Sequence, residues 1–307
     1  MLVRRLRRRL GWALDWRFAA VNERVEAVAR RLDGVAAGLE RLEHATAALT
    51  ADLRDLSDAN VAAHRFMLQE HAANRRRLQE LRTEEAYAAA FEDPEPLVSV
   101  IIPTHTRTDL LLERSLPSVL AQSYERLEVV VAGDAVPDDV GKTVEALGDD
   151  RVRFTNLTLR IPDPDPTAQW LIGSVAPRNA GYELARGSWF VDFDDDDALR
   201  PRAIERGLAY AREQRVEVSY GGFEQHRPDG EVETVAVFPP TWTKFGLQGA
   251  LIHEGLRFFQ RTPAAAIFGM PSDWFRTEAM LRAGVRFGMH DEIAWDYYPS
   301  GLWDTET

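Results

Sequence analysis

The chain of 307 residues has no cysteine. Disulfides, thiolate metal sites and cysteine nucleophiles are excluded together, and carboxylates and histidines remain as possible metal ligands. Any bound ion is therefore expected to be a hard, oxygen-liking one. No run of eighteen apolar residues occurs, so no spanning helix is expected. The first residues carry arginines without an apolar signal core or a small-residue cleavage site. Secretion is not indicated, and a cytoplasmic location is expected, peripheral on the inner face of the membrane if the basic start binds there. No proline precedes Pro94, so nothing in the first ninety residues breaks a helix. What is present is ample apolar content, 45% of residues, enough for a sizeable core in one large or two smaller units.

The net charge of −12 hides an asymmetry. Residues 1–90 hold 16 Arg against 13 Asp and Glu, a balance of +3, and the remainder holds a balance of −15. An acidic main body argues against general nucleic-acid binding, because polyanions are drawn by clustered cations. It leaves room for a small anionic ligand held by a few local groups.

From Val25 the apolar residues fall at Val28, Leu32, Val35, Leu39, Leu42, Leu49, Leu53 and Leu56 in alternating steps of three and four. That is a heptad seam. Thr46 interrupts it at an a position, and Asn60 stands at the next a position but one, where a buried amide sets register and strand number. Between Asn60 and Leu81 the seam weakens, with Glu70, Asn74 and Arg77 on it. A coiled coil over residues 21–90 is expected to join copies of the chain, dimer and trimer both being open; the plain alternative is one long helix folded back on the body. Ahead of it, residues 1–18 combine Arg4, Arg5, Arg7, Arg8, Arg9 and Arg17 with Leu2, Leu6, Leu10, Trp12, Leu14, Trp16 and Phe18. Such a basic, aromatic-bearing helix suits the surface of an anionic membrane, or serves simply as a charged start to the coil. Residues 1–20 form this segment and residues 91–96 read as a linker.

The body, residues 97–307, opens with a β-branched apolar run, Leu97 to Ile102, which predicts a buried strand. A helical stretch from Leu110 to Gln122, a strand from Leu127 to Val131 and a helix from Val140 to Leu147 follow. This βαβα order predicts a parallel sheet wound by helices, with ligands bound where loops leave the carboxyl ends of strands. Those loops read Pro103-Thr104-His105-Thr106-Arg107 and Ala132-Gly133-Asp134. The stretches VSVIIPTHTR and LERSLPSVLAQSYERLEVVVAGD resemble the opening of the family 2 glycosyltransferases, the inverting group with the GT-A fold. His105 and Thr106 stand where that family has Tyr and Asn. The resemblance implies a Rossmann-like αβα sandwich in which Thr104 borders the nucleotide and Asp134 accepts a hydrogen bond from the base.

Trp189 to Phe193 alternates into Asp194-Asp195-Asp196-Asp197, an apolar strand closed by four consecutive carboxylates. Such crowding repels unless a cation or donors compensate it. Mg²⁺ or Mn²⁺ would do so and would neutralise charge on a departing diphosphate. A solvated acidic loop is the plain alternative. The surrounding ARGSWFVDFDDDDALRP is similar to the family stretch carrying its Asp-x-Asp motif. By that resemblance Asp196 is the direct metal ligand, Asp194 lies near the ribose as a second ligand, and Arg178 and Asn179 match an Arg-Asn pair of the nucleotide pocket.

Downstream, a helix is expected from Pro201 to Gln214 and a strand from Val216 to Tyr220. Trp242, Phe245, Phe258 and Phe259 either stack on an acceptor or fill the core. The family places its catalytic base, an acidic residue of a Glu-Asp pair, at the start of a helix behind the acceptor. With a helix read from Thr277 to Gly284, the candidates are Asp291 and, shifted by one residue, Glu292. The implied function is metal-dependent inverting transfer of a sugar from a nucleotide-sugar donor, of UDP type, to a saccharide, lipid-linked or protein acceptor in envelope polysaccharide or glycan synthesis. Two alternatives are a non-catalytic assembly factor that senses nucleotide sugar and a nucleotidyltransferase.

Overall fold

The computed structural model describes residues 2–299, without the side chains of residues 2–18, 20 and 63. The expected membrane-surface segment, residues 1–18, therefore lies outside the described side chains. The chain divides into two compact units, Met1–Leu68 and Gln69–Thr307. The first is helical throughout, part of a helix α1 that spans Leu2–Leu81. Its seam residues are exposed. Among the described residues no helix is long and apolar enough to cross a membrane.

The second unit begins inside α1. The helical stretch expected through residue 90 is in two pieces, because the chain turns at Thr83 and Glu84 before α2, Glu85–Glu92. Leu78, Leu81, Tyr87 and Phe91 are all buried in the main hydrophobic core. Their anchor is Glu217, wholly buried, whose carboxylate accepts from Arg82 Nε at 2.8 Å, from Tyr87 Oη at 2.7 Å and from the Arg286 backbone at 2.6 Å. A buried carboxylate is tolerated only with such full pairing.

The body then runs β1 (Val98–Thr104), α3 (Thr108–Leu110), a π-helical turn (Leu111–Ser115) and α4 (Leu116–Leu120). Next come β2 (Leu127–Gly133), α5 (Asp138–Glu145), β3 (Val152–Asn156), α6 (Pro166–Ile172), α7 (Val175–Leu184) and β4 (Trp189–Asp192). The rest comprises β5 (Ala198–Leu199), α8 (Ala203–Gln214), β6 (Val218–His226), β7 (Val232–Val235), β8 (Leu251–His253), α9 (Ala264–Ile267), α10 (Ser272–Ala283) and β9 (Phe287–Tyr297). One mixed sheet results, in the order β3-β2-β1-β4-β8-β6-β9-β5, with β7 paired to β6. Strands β1 to β4 pair in parallel, and β1 and β2 are buried on both faces, as their unbroken apolar runs require. The order reverses between β1 and β4, so a crevice is expected at their carboxyl ends.

Strand β8 is antiparallel to both β4 and β6, and β9 is parallel to β6, so β4, β6 and β9 end at the same edge. Between β6 and β9 the ladder is bulged. Tyr220 faces Met289 but Phe223 faces Trp295, so β9 spends six residues where β6 spends three. Gly221 and Gly222 permit this: a Cβ on Gly221 would stand 2.3 Å from the Glu292 carbonyl oxygen, and one on Gly222 2.9 Å from that of Val235.

Candidate active site

Strand β4 carries Asp192 into the core and delivers Asp194 to Asp197 onto the shared edge. Asp192 is fully buried and faces three guanidiniums, Arg261 at 2.9 Å, Arg276 at 3.3 Å and Arg178 at 3.7 Å, with the Tyr182 hydroxyl donating to it. Burial alone would raise this carboxyl; Arg261, Arg178 and Arg276 outweigh it and hold Asp192 well below the usual carboxylate range. Arg178 also donates to Asp194 and, at 3.2 Å, to the Phe193 carbonyl. Asp194 receives a further bond from Gln248 Nε2 at 2.6 Å. Burial again pushes the Asp194 carboxyl up, and Arg178 with Gln248 bring it below its ordinary value. Its ionised form is thus built into the fold.

The next carboxyls behave differently. Burial first, then the adjacent Asp196 and Asp194, push Asp195 up to about 7, although the Thr104 hydroxyl and Arg107 pull the other way. Asp197 is raised by burial and by Asp194 and Asp196; its Oδ1 accepts from the Tyr298 backbone at 3.0 Å. Asp197 Oδ2 is buried and finds no hydrogen-bond partner among the described residues. Arg107, from the loop after β1, reaches Asp196 Oδ2 at 2.5 Å, and Arg114 donates to the Asp196 carbonyl at 2.6 Å. The π-helical turn is what aims this side: it directs Arg114 at Asp196 and Ser115 Oγ at the Asp194 carbonyl, 2.7 Å away. Arg114 also lies 3.9 Å over the Tyr298 ring.

Asp134 leaves the end of β2 and is buried; its amide donates to the Thr104 carbonyl at 2.8 Å, tying the two loops, and its Oδ2 accepts from Arg160 Nε at 2.8 Å. His105 Nδ1 lies 3.1 Å from the Asp134 carbonyl. Asn179 is spent on positioning: its amide donates to the Arg261 carbonyl at 2.8 Å and accepts from the Arg261 amide at 3.2 Å. The edge therefore brings together Thr104, Asp134, Arg178, Asp194 and Asp196 at the ends of β1, β2 and β4, with Asn179 one layer behind.

Asp291 and Glu292 are not part of this gathering. They stand in the bulged stretch of β9 rather than at the head of a helix. Asp291 is exposed, and Glu292 is paired with Arg206 of α8 at 2.6 Å. Asp291 lies within the bulge and Asp296 beyond it, paired with Glu224 near the end of β6. The physical reason is that the segment after Gly284 keeps apolar partners on β6, Ile293 against Gly222 and Trp295 against Phe223, and so stays extended.

Two groups near the edge escaped the sequence reading. One is Asp273 in the first turn of α10, where a carboxylate meets the helix dipole favourably. Its neighbour Ser272 accepts from Arg261 Nη1 at 3.2 Å, and the Asp273 charge is felt by Arg261, the residue paired with Asp192. Asp273 and Asp192 thus act on the same guanidinium, that of Arg261. Trp274, next in α10, lies with its ring 6.1 Å from that of Trp242, the most exposed of the four aromatics considered above; Phe259 by contrast is core. The signal for Asp273 was available: Pro271-Ser272-Asp273 ahead of a periodic run ended by Gly284 is a helix-start pattern. The other group is Glu224, His226 and Asp296, whose ligand atoms lie within 4.8 Å of one another. Arg200 already bonds both carboxylates at 2.6 Å, which supplies the cation this trio needs.

Residues 99–160 match the family described as Glycosyl transferase family 2. The succinoglycan biosynthesis protein ExoO of Rhizobium meliloti is 29% identical over 138 residues, 45% of this chain and 36% of that protein. A Campylobacter jejuni GalNAc(5)-diNAcBac-PP-undecaprenol beta-1,3-glucosyltransferase is 31% identical over 121 residues, 38% of this chain and 35% of its own length. The matched segment spans only about a third of these relatives. In three dimensions, residues 1–349 of S. aureus TarS, crystallised with UDP-GlcNAc, superimpose with a TM-score of 0.52 at 18% identity over 67% of this chain and 60% of that one. That likeness is one of fold, and it is the GT-A fold that the resemblance of the body's opening implied.

Proposed function

We propose, for a chain that belongs to the family 2 glycosyltransferases, that it transfers a glycosyl group from a nucleotide-sugar donor to an acceptor hydroxyl with inversion. The observation that carries this reading is the acidic edge itself: four successive carboxylates, some held ionised and others strained toward protonation, beside Arg178 and Asp134. Asp134 and Thr104 would bound the base of the nucleotide, and Asp194 the ribose. A UDP-type donor is supported by the TarS complex only through likeness of fold.

The residues suit a hard divalent ion. All the donor atoms are carboxylate oxygens, and one of them, Asp197 Oδ2, is buried without a partner. Asp196 and Asp194 would hold Mg²⁺ or Mn²⁺. When bound, the ion supplies charge neutralisation for the departing nucleoside diphosphate. Arg107 would give up Asp196 and turn its guanidinium to phosphate oxygen.

In the displacement, the acceptor oxygen bonds to the anomeric carbon, the bond from that carbon to the diphosphate oxygen breaks, and its electron pair leaves with the nucleoside diphosphate. The acceptor proton must go to a carboxylate on the opposite face. Asp273 is the residue we favour for this role over Asp291 and Glu292, because it stands in the first turn of a helix and Asp291 and Glu292 lie in a strand. Trp242 and Trp274 would flank the acceptor. A lipid-linked acceptor in glycan assembly is supported by the undecaprenol-linked substrate named for the Campylobacter relative, and the basic start of the chain suits the anionic membrane surface on which such acceptors lie.

The test is a donor screen by thermal shift and calorimetry with Mn²⁺, followed by transfer assays. The expected result is metal-dependent binding of one nucleotide sugar, retained in Asp273→Asn while transfer is lost. Absence of binding to every nucleotide sugar tried would remove the reading. Binding with unchanged cellular function when Asp273, Asp291 and Glu292 are all replaced by their amides would favour a sensor, and release of pyrophosphate from a nucleoside triphosphate would favour a nucleotidyltransferase.

A further inference from the structure

The seam of α1 is bare in the single chain. Ten apolar side chains at its a and d positions, from Val21 to Leu56, are each 54–65% exposed, over about 53 Å of helix. Full burial of a Val or Leu removes about 60–120 Å² from water. Ten together reach the order of 800 Å² that each partner of a stable pair contributes. A monomeric protein rarely leaves so long an apolar stripe uncovered. Helices owe most of their stability to packing, and this one also carries Gly34 and Gly38, each unfavourable by about 1 kcal/mol against Ala.

The positions around the seam say what covers it. Charged residues cluster at the outer b, c and f positions, as with Glu26 and Arg30, which pair along the outer surface. The flanking e and g positions are mostly small: Ala29, Ala36, Gly38, Ala45, Ser57 and Ala59. With few flanking charges, little selects a foreign helix of opposite charge. In a parallel pair the facing g and e residues are Arg24 with Ala29, Arg31 with Ala36, Gly38 with Glu43, Ala45 with Thr50 and Asp52 with Ser57. No like charges meet.

Two polar residues interrupt the seam, and they make different demands. The Thr46 hydroxyl donates to the Leu42 carbonyl of its own helix at 2.7 Å, so it can be covered without an orphaned donor. Asn60 has an amide that both donates and accepts, and it is satisfied at an a position by a second Asn opposite it. That happens only when Asn60 meets Asn60. We infer that α1 pairs with a second copy of this chain as a parallel, in-register, two-stranded coiled coil, with Asn60 setting the alignment and both chains continuing into residues 69–299 from the same end of the coil.

The absence of cysteine makes the test clean. In the full chain, Leu49→Cys places a thiol in the seam, and Ala51→Cys places one on the outer surface. A disulfide needs Cα atoms within about 7 Å, so only identical seam positions in a parallel, in-register pair can bridge. Expected are a light-scattering mass of twice the chain for the wild type at micromolar concentration and, under mild oxidation, a covalent dimer from Leu49→Cys but not from Ala51→Cys. The double variant Leu39→Asp, Leu42→Asp should halve the mass and lower the helical dichroism contributed by α1, while the melting of the body, residues 69–299, remains. A monomeric wild type, a threefold mass, or equal bridging at both positions would each overturn the inference. None of these outcomes depends on transfer activity, so the reading of the active site stands or falls separately.

Discussion

Two buried carboxylates, Asp192 and Glu217, are built alike and serve differently. Each is fully buried, each is held by arginines, and each accepts from a tyrosine hydroxyl, Tyr182 in one case and Tyr87 in the other. Glu217 has a closed set of partners: Arg82, Arg286 and Tyr87 use up its oxygens and fasten the end of α1 and all of α2 to the sheet. Asp192 is as fully partnered, but one of its arginines, Arg178, also reaches on to Asp194 at the acidic edge. The same motif is a strap where its partners are all structural, and the floor of a site where one guanidinium is shared. Burial and charge alone do not distinguish the two; connectivity does.

The contrast can be broken by substitution. The largest effect is expected at the shared end: Asp273→Asn should lower transfer by about 10³-fold, about 4 kcal/mol of barrier, with donor affinity kept. Single-turnover kinetics beside calorimetry would show it. At the closed end, Glu217→Gln should leave kcat as it is and lower the stability of the body by about 3 kcal/mol at neutral pH, read by denaturant titration. The sign of its pH dependence follows from the lowered Glu217 carboxyl, which burial raises but Arg82, Arg286 and Tyr87 more than offset. Its stabilisation is present above the ordinary glutamate range and is lost as pH falls through the lower folded value. The wild type and the variant should therefore converge only in acid below about pH 4.5.

A neighbouring group opens a separate window. Burial pushes His253 down to about 4; its Nε2 faces the Tyr87 carbonyl at 3.1 Å, and its Nδ1 accepts from the Gly255 amide at 3.0 Å. The unfolded chain takes up a proton near pH 6.5 that the folded chain refuses until about 4. Stability should fall by about 3 kcal/mol between those values, and His253→Gln should flatten that slope. The smallest effect belongs to Asp291→Asn, expected to change stability by no more than about 0.5 kcal/mol and to leave transfer intact. A large loss of transfer there would return the base to β9.

What was legible in the sequence was what periodicity and charge crowding reveal. The apolar runs at β1 and β2, the loops ending in Thr104 and Asp134, and the four aspartates after β4 all appear where their pattern puts them. The start of α10 and the strand setting of Asp291 and Glu292 were not legible, for two physical reasons. The start of α10 was read five residues late, at Thr277, because Trp274 and Phe275 look like a continuation of the aromatic loop before them. And His290-Asp291-Glu292 looks like a site only if a helix precedes and a loop surrounds it, whereas pairing with β6, decided by residues seventy positions away, makes it the bulge of a strand. Long-range strand pairing leaves no local signature.

That bulge also has a practical side. The paired glycines at positions 221 and 222 behave like a gear change in the sheet: upstream, β9 and β6 advance together, and downstream Asp296, Tyr297 and Tyr298 arrive offset, in time to cap Asp197 and cover Arg114. Anyone grafting new loops onto this scaffold has to keep the doublet together with Val218, Ser219 and Tyr220 before it, which are core. Replacing either glycine would shift the phase of the strand and turn the far end of β9 away from the acidic edge.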